Sequence, residues 1–510
     1  MDSWLFDIAA QEARFSQRHP PQPAASSSSS SSSPPPTLPS AAALRAAEAS
    51  LPSPSSPTYL AGAPAAAVAT HIARDVVPAL TGQNASPRYF GFVTGGALPL
   101  AQWADNVVTA LDQNVQVHLP SQTVATAVED AALEMLARAL RLGGEWEGRT
   151  VTTGATASNV LGLACGREHV LGGGSVGELG VLEAARRKGV VEVQVLTSMG
   201  HSSLGKAASV VGLGRAAVRE MGREGEEEEP WRLDLAKVEA AMEGRKGTAT
   251  IVAVSAGEVN AGRYALHGVE EWRRLRELAD KYGAWIHVDG AFGVFARALE
   301  QTDEFKLLQE RTEGIHLADS ITIDGHKLLN VPYDCGMFYC KSSAIMQAVF
   351  TNPNASYLSS SSASTIPSPL NIGLENSRRF RALPVYAVLL SEGRPGLAAL
   401  LASMTRLSRA VASFLRDSPH YQLLPEGNAA EEDIFISVLF RARDAALNET
   451  LVARINDTRQ LYVSGTVWQG RPAVRIAVSN WRVDVERDAA VVRGVLTCIA
   501  EGREFDIAEY

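Results

Sequence analysis

A lysine follows a short apolar segment in the second half of the chain. Asp324-Gly325-His326-Lys327 comes directly after Ser320-Ile321-Thr322-Ile323. A catalytic lysine needs a fixed backbone and an amine that can lose its proton. A position just beyond a buried strand and next to His326 meets both needs, although a surface lysine at a strand end has the same pattern. Lys327 is therefore the first candidate catalytic residue.

Two further segments place polar side chains after apolar runs. In His287-Val288-Asp289-Gly290-Ala291, the aspartate can pair with the ring nitrogen of a pyridine-type cofactor and keep the ring an electron sink, or it can cap the next helix. In His201-Ser202-Ser203-Leu204-Gly205-Lys206-Ala207, the imidazole can stack on such a ring or stand structurally at a helix start. Ligands bind at strand ends in open α/β sheets, which favours the functional interpretation.

A loop of small residues offers a place for an anion. Thr152-Thr153-Gly154-Ala155-Thr156-Ala157-Ser158-Asn159 precedes an apolar helical stretch at 160–165. Small residues let the backbone approach an anion, and a helix N-terminus supplies free N–H groups and a favourable dipole. The loop therefore indicates a phosphate site, although an ordinary capped helix has the same appearance.

Alternating strands and helices must position these segments. From about residue 150, short apolar runs predict buried strands, and periodic stretches between them predict helices. The predicted strands are 191–196, 250–254, 285–288 and 321–323, and a helix is predicted at 269–282. This alternation predicts an α/β fold with a mostly parallel sheet covered on both faces.

The flanking regions are predicted to be mainly helical. Helices are expected at 63–80, 99–111, 121–142 with Ser121 as N-cap, 383–415 and 483–501, and strands at 434–440 and 473–478. Two polar stretches, 222–229 and 359–364, predict surface loops. The predicted organisation is a disordered or low-complexity segment at 1–57, an N-terminal helical segment at 58–115, a large domain at 116–383 and a small C-terminal α+β domain at 384–510.

Composition excludes several classes of function. The formal net charge of −9 gives no electrostatic basis for nucleic-acid binding. No apolar run has the roughly 20 residues that a bilayer requires, so no membrane association is expected. The four cysteines lack CxxC spacing, which argues against a disulfide framework or a metal site and favours a reducing, cytoplasmic compartment.

Together, the four motifs resemble a known family. The order of the Thr-rich loop, HSSxxKA, HVDxA and DxHK is similar to the group II pyridoxal-5′-phosphate (PLP)-dependent decarboxylases, which include glutamate, tyrosine and aromatic amino acid decarboxylases. The resemblance covers about 88–481. It implies a type I PLP fold with a mostly parallel, seven-stranded-type sheet in the large domain. It also implies PLP as cofactor and a homodimer.

The resemblance assigns roles residue by residue. It implies that Lys327 forms the Schiff base with PLP, that Asp289 pairs with the pyridinium nitrogen and that His201 stacks on the ring. The remaining cofactor contacts that it implies are Ala155 and Thr156 at the phosphate, Asp324 and His326 beside it, and Ala291 against the other ring face. Lys327, His201 and Asp289 are thus the predicted catalytic residues.

Three residues are candidate substrate contacts. Thr94 lies in a stretch, 89–96, that resembles the family's wall of the substrate pocket. Arg378 and Arg379 lie in a segment similar to one near the family's active site, where an arginine can grip a carboxylate in bidentate fashion. A structural ion pair that supports the dimer is the alternative for both arginines.

The implied reaction is decarboxylation of an L-amino acid to the amine, with two departures from the family pattern. Gly257-Glu258-Val259 stands where many members have Gly-Thr-Thr. The stretch 359–369, at the position of the family's proton-donating loop tyrosine, has none, and the tyrosines between Lys327 and Arg378 are Tyr333, Tyr339 and Tyr357. Another PLP reaction (aminotransferase, aldehyde-forming or carbon–carbon lyase) and a non-catalytic PLP-binding protein remain the alternatives.

Overall fold

A seven-stranded sheet forms the centre of the protein in the computed structural model, which describes residues 36–172, 176–224, 229–352, 366–426 and 430–509. Its strands are β2 (Gly148–Thr152), β3 (Glu192–Thr197), β4 (Val218–Glu220), β5 (Thr248–Ser255), β6 (Trp285–Asp289), β7 (Ser320–Asp324) and β8 (Gly336–Cys340). The strand order is β2-β8-β7-β6-β5-β3-β4, and only β8 runs antiparallel to its neighbours. This is the predicted α/β fold with a mostly parallel sheet.

Helices cover the sheet and lead into and out of it. In chain order they are α1 (Ala41–Ser50), α2 (Ala65–His71), α3 (Pro99–Ala110), α4 (Ala125–Ala139), α5 (Ala155–Leu171), α6 (Val176–Lys188), α7 (Ser202–Val210), α8 (Leu235–Glu243), α9 (Gly268–Tyr282), α10 (Lys306–Thr312), α11 (Gly325–Leu328), α12 (Ser343–Phe350), α13 (Ala382–Asp417), α14 (Ala445–Asp457) and α15 (Val485–Glu501). A π-helix at Ile72–Val76 and a 3-10 turn at Val77–Ala79 continue α2.

The central strands read as continuous apolar runs because both of their faces are buried. Every residue of β7 and β8 is buried. The helices instead have one apolar and one polar face, as in α9, which buries Trp272, Leu275 and Leu278 on one side. This helix ends at Gly283, which has a positive φ of 64°. The polar motifs therefore lie where these apolar strands end.

A smaller antiparallel sheet forms the C-terminal part. Its strands are β10 (Tyr421–Leu424), β11 (Ser437–Ala442), β12 (Ser464–Trp468) and β13 (Arg471–Ala477), in the order β10-β11-β13-β12. A separate two-stranded pair joins β1 (Asn114–Val115) to β9 (Arg378–Arg379). The predicted boundary at 383/384 falls within the first turn of α13, so that helix is shared between the two parts.

Helix α13 is long and apolar enough to cross a membrane by length and composition alone. It is kinked at Gly393 and packs against α3, α4 and α15. Those contacts are the ones expected of a core helix that links two parts of one protein.

Two local predictions were wrong. Residues 36–57 belong to the segment predicted as disordered or low-complexity, but the structure has α1 there, because Ser40 caps an alanine-rich stretch with high helix propensity. Thr37 and Leu38 bind Arg459 and anchor this segment to the C-terminal part. Ser121 is not an N-cap, since α4 begins only at Ala125 and the Thr123 hydroxyl accepts from the Ala125 amide. The described residues do not include 1–35, 225–228 and 353–365. The first part of the predicted segment 1–57, half of the predicted surface loop 222–229 and all of the predicted loop 359–364 therefore lie outside the described residues.

Candidate active site

A cavity of about 290 Å³ lies where the strand ends of the large sheet face β12 and β13. Five of the predicted site residues line it, namely Ala155, His201, Asp289, Ala291 and Lys327. Parallel strands present their carboxyl ends at one edge, so segments that are distant in sequence meet there. The residues that the sequence singled out are thus brought together by the sheet.

Lys327 is held on the short helix α11, directly after β7. Its Nζ lies 3.0 Å from Asp324 Oδ2 and 5.6 Å from the centre of the Phe292 ring. The Lys327 carbonyl oxygen touches the position that a Cβ on Gly95 would occupy, so only glycine allows this approach. The amine is therefore held at one wall of the cavity, within ion-pair distance of a carboxylate.

Asp289 is oriented by a directional chain of hydrogen bonds behind the cavity. The Asn159 amide donates to Asp289 Oδ2 at 2.9 Å, and Asn159 Oδ1 accepts from His287 Nε2 at 3.0 Å. Ser320 Oγ, 2.8 Å from His287 Nδ1, completes the chain. Burial lowers the pKa of His287 to about 4, so the imidazole is neutral. Asp289 thus accepts a hydrogen bond from the neutral amide of Asn159, and the histidine behind that amide carries no positive charge. The sequence analysis did not assign Asn159 to the site.

His201 stands at a helix start, as its structural alternative predicted, and it also lines the cavity. Its Nδ1 accepts from the Ser203 amide at 3.2 Å and so caps α7, while its ring lines the cavity. Burial lowers the pKa of His201, which leaves a neutral ring with its proton on Nε2. A neutral imidazole is suited to lie flat on an aromatic ring.

The loop predicted as an anion site leads into the N-terminus of α5. Gly154, with φ 151°, precedes the helix, and Thr156 is exposed in its first turn. The Ala155 amide donates to Asp324 Oδ1 at 2.6 Å, so Asp324 already occupies one of the N–H groups expected for a phosphate. His326 lies beside this end, stacked on Tyr333 with 4.0 Å between ring centroids. Burial lowers the pKa of His326.

The two arginines proposed as substrate contacts are bound elsewhere. Arg378 is buried in a bidentate ion pair with Glu129 of α4, at 2.7 Å from its Nη1. Arg379 binds Asp105 of α3 at 2.7 Å. Neither lines the cavity. The substrate role is therefore wrong for both, and the structural ion pair, which was the alternative, is present.

An arginine from the small sheet lines the cavity instead. Arg475 of β13 lines the cavity, is 6% exposed and donates to the Val259 carbonyl at 2.7 Å. Its Nε has no hydrogen-bond partner among the residues that the structure describes. Burial lowers the pKa of Arg475, and the buried carboxylate of Glu258 opposes this. The sequence offered the signal of a charged residue within an apolar strand, Ala473-Val474-Arg475-Ile476-Ala477.

Glu258, the residue that departs from the family's Gly-Thr-Thr, holds a loop together. Its carboxylate accepts from the amides of Asn260, at 2.7 Å, and Ala261. Burial raises the pKa of Glu258, and these bonds oppose the rise. The substitution therefore exchanges hydroxyls for a carboxylate that stabilises the cavity wall.

Comparison with known proteins places this geometry in a family. The conserved domain of the pyridoxal-dependent decarboxylases matches residues 63–443. The chain is 27% identical to L-2,4-diaminobutyrate decarboxylase of Acinetobacter baumannii over 67% of its length and 64%, just under two thirds, of that protein. It is 25% identical to tryptophan decarboxylase 1 of Oryza sativa subsp. japonica, over 84% of this chain and 82% of that one.

A solved structure shows the same fold. The crystal structure of Oryza sativa TDC with PLP and tryptamine superposes with a TM-score of 0.79 at 21% identity, covering 98% of this chain and 99% of that one. The match of fold extends over both sheets, well beyond the four short motifs. The chain therefore belongs to the pyridoxal-dependent decarboxylase family, which confirms the predicted family, type I fold, PLP cofactor and enzyme class, a PLP-dependent lyase.

Proposed function

We propose that this chain decarboxylates an L-amino acid to the amine with PLP bound at Lys327. The residue assignment is supported by one cavity, which is lined by Lys327, Asp289, His201 and Arg475. When bound, PLP supplies the electron sink for the bond that breaks. The protein supplies binding, orientation and exclusion of water.

The residues of the cavity are suited to PLP. Asp289, held by Asn159, offers a carboxylate for the protonated ring nitrogen. His201 and Ala291 line the cavity and would enclose the ring, and the N-terminus of α5 with Thr156 would take the phosphate. Asp324 would stay on the Ala155 amide and orient Lys327 from the side.

Arg475 would hold the substrate carboxylate. A buried guanidinium that makes one bond to a neutral carbonyl has donors left for a bidentate partner. Its attraction would fix the carboxyl group relative to Lys327, so that orientation contributes to the rate. Thr94, the third predicted substrate contact, is buried next to Val93 of the cavity lining and is hydrogen-bonded to Tyr333.

The proton that replaces CO2 needs an acid close to Lys327. Among the described tyrosines, Tyr333 is close enough to Lys327 for the lysine charge to affect its pKa. Burial raises the pKa of Tyr333, and the hydrogen bond from Thr94 and the charge of Lys327 oppose this rise. Tyr357 lies outside the described residues. Rapid-quench assays of Tyr333→Phe and Tyr357→Phe compare the rate of CO2 release with the rate of amine formation. The acid is the residue whose replacement slows amine formation without slowing CO2 release.

The test of the proposed function is product mass spectrometry with PLP and a panel of L-amino acids. We expect a product lighter by CO2, and we expect Lys327→Ala to lose both turnover and the visible absorption of the bound cofactor. Asp289→Ala should lower turnover severely, because a neutral pyridine is a poorer electron sink. An oxo acid would indicate an aminotransferase, an aldehyde an oxidative or lyase reaction, and no product a PLP-binding protein.

We also propose a cytoplasmic homodimer. Large apolar side chains are exposed along the N-terminal helices, and a second copy is the partner expected to cover them. They are Leu44, Leu51, Tyr59, Leu60, Val68, Ile72, Val77 and Leu80. Light scattering of the purified chain tests the dimer. The four cysteines are free and buried, which is compatible with a reducing compartment, and a fluorescent fusion tests the localisation.

A further inference from the structure

A three-residue loop connects strand β3 to helix α7 and carries His201 to the cavity. It consists of Ser198, Met199 and Gly200, and His201 follows as the N-cap of α7. The His201 ring lines the cavity, where the proposed function places it against the cofactor ring. Helix α7 holds His201 from its C-terminal side, so the position of the ring also depends on what holds the loop before it.

The backbone of this loop is strained at Met199. Its φ is 44°, in the left-handed region that favours glycine. Such a conformation persists only where surrounding contacts offset its cost, and it is common next to ligand sites. Two contacts of the loop are made to the region between the sheets: Ser198 Oγ donates to the Trp231 carbonyl at 2.7 Å, and the Met199 side chain packs against the apolar cluster that contains Trp231 and Trp468. The Met199 side chain is thus anchored, and its amide is left for another partner.

That partner is Glu220, on the neighbouring strand. Strands β3 and β4 are parallel and place Thr197 opposite Glu220, so Glu220 lies beside the first residues after β3. Its Oε2 accepts from the Met199 amide at 2.7 Å, and the Gly200 amide donates to the same carboxylate. Consecutive amides that converge on one anion are typical of turns with left-handed residues. In this loop the anion is a side chain of the protein itself.

We infer that Glu220 is a positioning residue for His201 and, through it, for the cofactor ring. This inference rests on the proposed function, since His201 must contact that ring. The two bonds from Met199 and Gly200 restrain the two residues directly before His201, whereas the bond from the Ser203 amide restrains the ring from the other side. Glu220 is exposed and lies outside the lining of the cavity, so it acts through the loop and not on a ligand.

Two properties of the bound cofactor test the inference without turnover: the affinity of the apoprotein for PLP and the visible circular dichroism of the holoenzyme. We expect Glu220→Ala to weaken PLP binding about fivefold and to reduce the dichroic band, because a loosely held His201 ring no longer fixes the cofactor ring. Glu220→Gln keeps an acceptor oxygen without the charge and should have a smaller effect of the same sign. Glu192→Gln, which breaks an ion pair with Arg219 on the same two strands, is the matched control and should leave both properties unchanged. Wild-type values in Glu220→Ala overturn the inference.

A double-mutant cycle separates action through His201 from a merely structural role. His201→Asn removes the ring but keeps an acceptor for the N-cap of α7, and it should lower both properties at least as much as Glu220→Ala. Adding Glu220→Ala to His201→Asn should cause no further loss, since the ring that Glu220 positions is gone. Additive losses, with or without a lower unfolding midpoint of the apoprotein, overturn the inference alone. Unchanged properties in His201→Asn overturn the proposed contact of His201 with the cofactor, and the inference with it.

Discussion

Two arginines of this chain are equally buried and have opposite surroundings. Arg378 and Arg475 are both 6% exposed. Arg378 is saturated by Glu129, whose attraction outweighs the effect of burial and raises the pKa of Arg378. Within the part of the chain that the structure describes, Arg475 bonds one carbonyl, that of Val259, and burial lowers its pKa. Burial alone therefore does not distinguish a structural cation from one kept for a ligand, whereas the set of partners does.

The same contrast holds for two histidines. His287, in β6, is bonded at both ring nitrogens, to Ser320 and Asn159. Among the residues that the structure describes, His201 is hydrogen-bonded through Nδ1, and its ring lines the cavity. Saturated groups are expected to contribute to stability, and groups with unused donors to binding. Four predictions test this division, from the largest expected effect to the smallest.

Arg378→Ala should lower the free energy of unfolding by about 3–5 kcal/mol, because it leaves Glu129 as an unpaired buried charge. Urea denaturation measures this change. Arg379→Ala, which breaks a half-exposed pair with Asp105, is the control and should cost less than about 1 kcal/mol. Equal losses of unfolding free energy in the two variants would show that the buried ion pair contributes no more to stability than the half-exposed one.

Arg475→Gln should lower kcat/KM about 100-fold and change the free energy of unfolding by less than about 1 kcal/mol, since the lost bonds are made to substrate. Steady-state kinetics and urea denaturation provide the two readouts. Arg471→Gln, exposed on the same strand, is the matched control. If stability fell while kcat/KM was retained, Arg475 would belong with Arg378.

Acidification should destabilise the protein through His287. Its folded-state pKa of about 4 lies below the unfolded value of about 6.5, so its contribution is complete above pH 6.5 and is lost as the pH falls toward 4. At pH 5 the loss is about 2 kcal/mol. Denaturation at pH 7 and pH 5 measures it, and His287→Gln should have a shallower pH dependence than the wild type. An unchanged slope would contradict the assignment.

Asn159→Ala should weaken PLP binding about tenfold, because Asp289 loses the donor that orients its carboxylate. Fluorescence titration of the apoprotein measures this affinity. Asn448→Ala removes a buried asparagine that bonds Ala442 and Pro472 in the small sheet, and it should cost stability without affecting PLP. Equal PLP affinity in the two variants would show that Asn159 has no role at the cofactor site.

The sequence determined four strands of the large sheet, β3, β5, β6 and β7, and the cofactor motifs, because both are local. Apolar runs such as 321–323 predict buried strands wherever they occur, and DxHK, HVDxA and the Thr-rich loop each span fewer than ten residues. Lys327, Asp289, His201, Ala155 and Ala291 were named in advance and line one cavity. Helix α1 was missed because a Ser/Pro-rich neighbourhood obscured a short alanine-rich helix.

Only the tertiary structure decided which arginine faces the cavity. Arg378 and Glu129 are 249 positions apart, and Arg475 meets the Val259 carbonyl across 216 positions, so no local pattern reports either contact. The bond from Asn159 to Asp289 likewise spans 130 positions. The free energy of a buried charge depends on the partners that folding places around it, and these partners come from separate elements. Residue type and spacing therefore predicted the cofactor site, while the packing of the two sheets brought Arg475 to the cavity, where we propose that it binds the substrate.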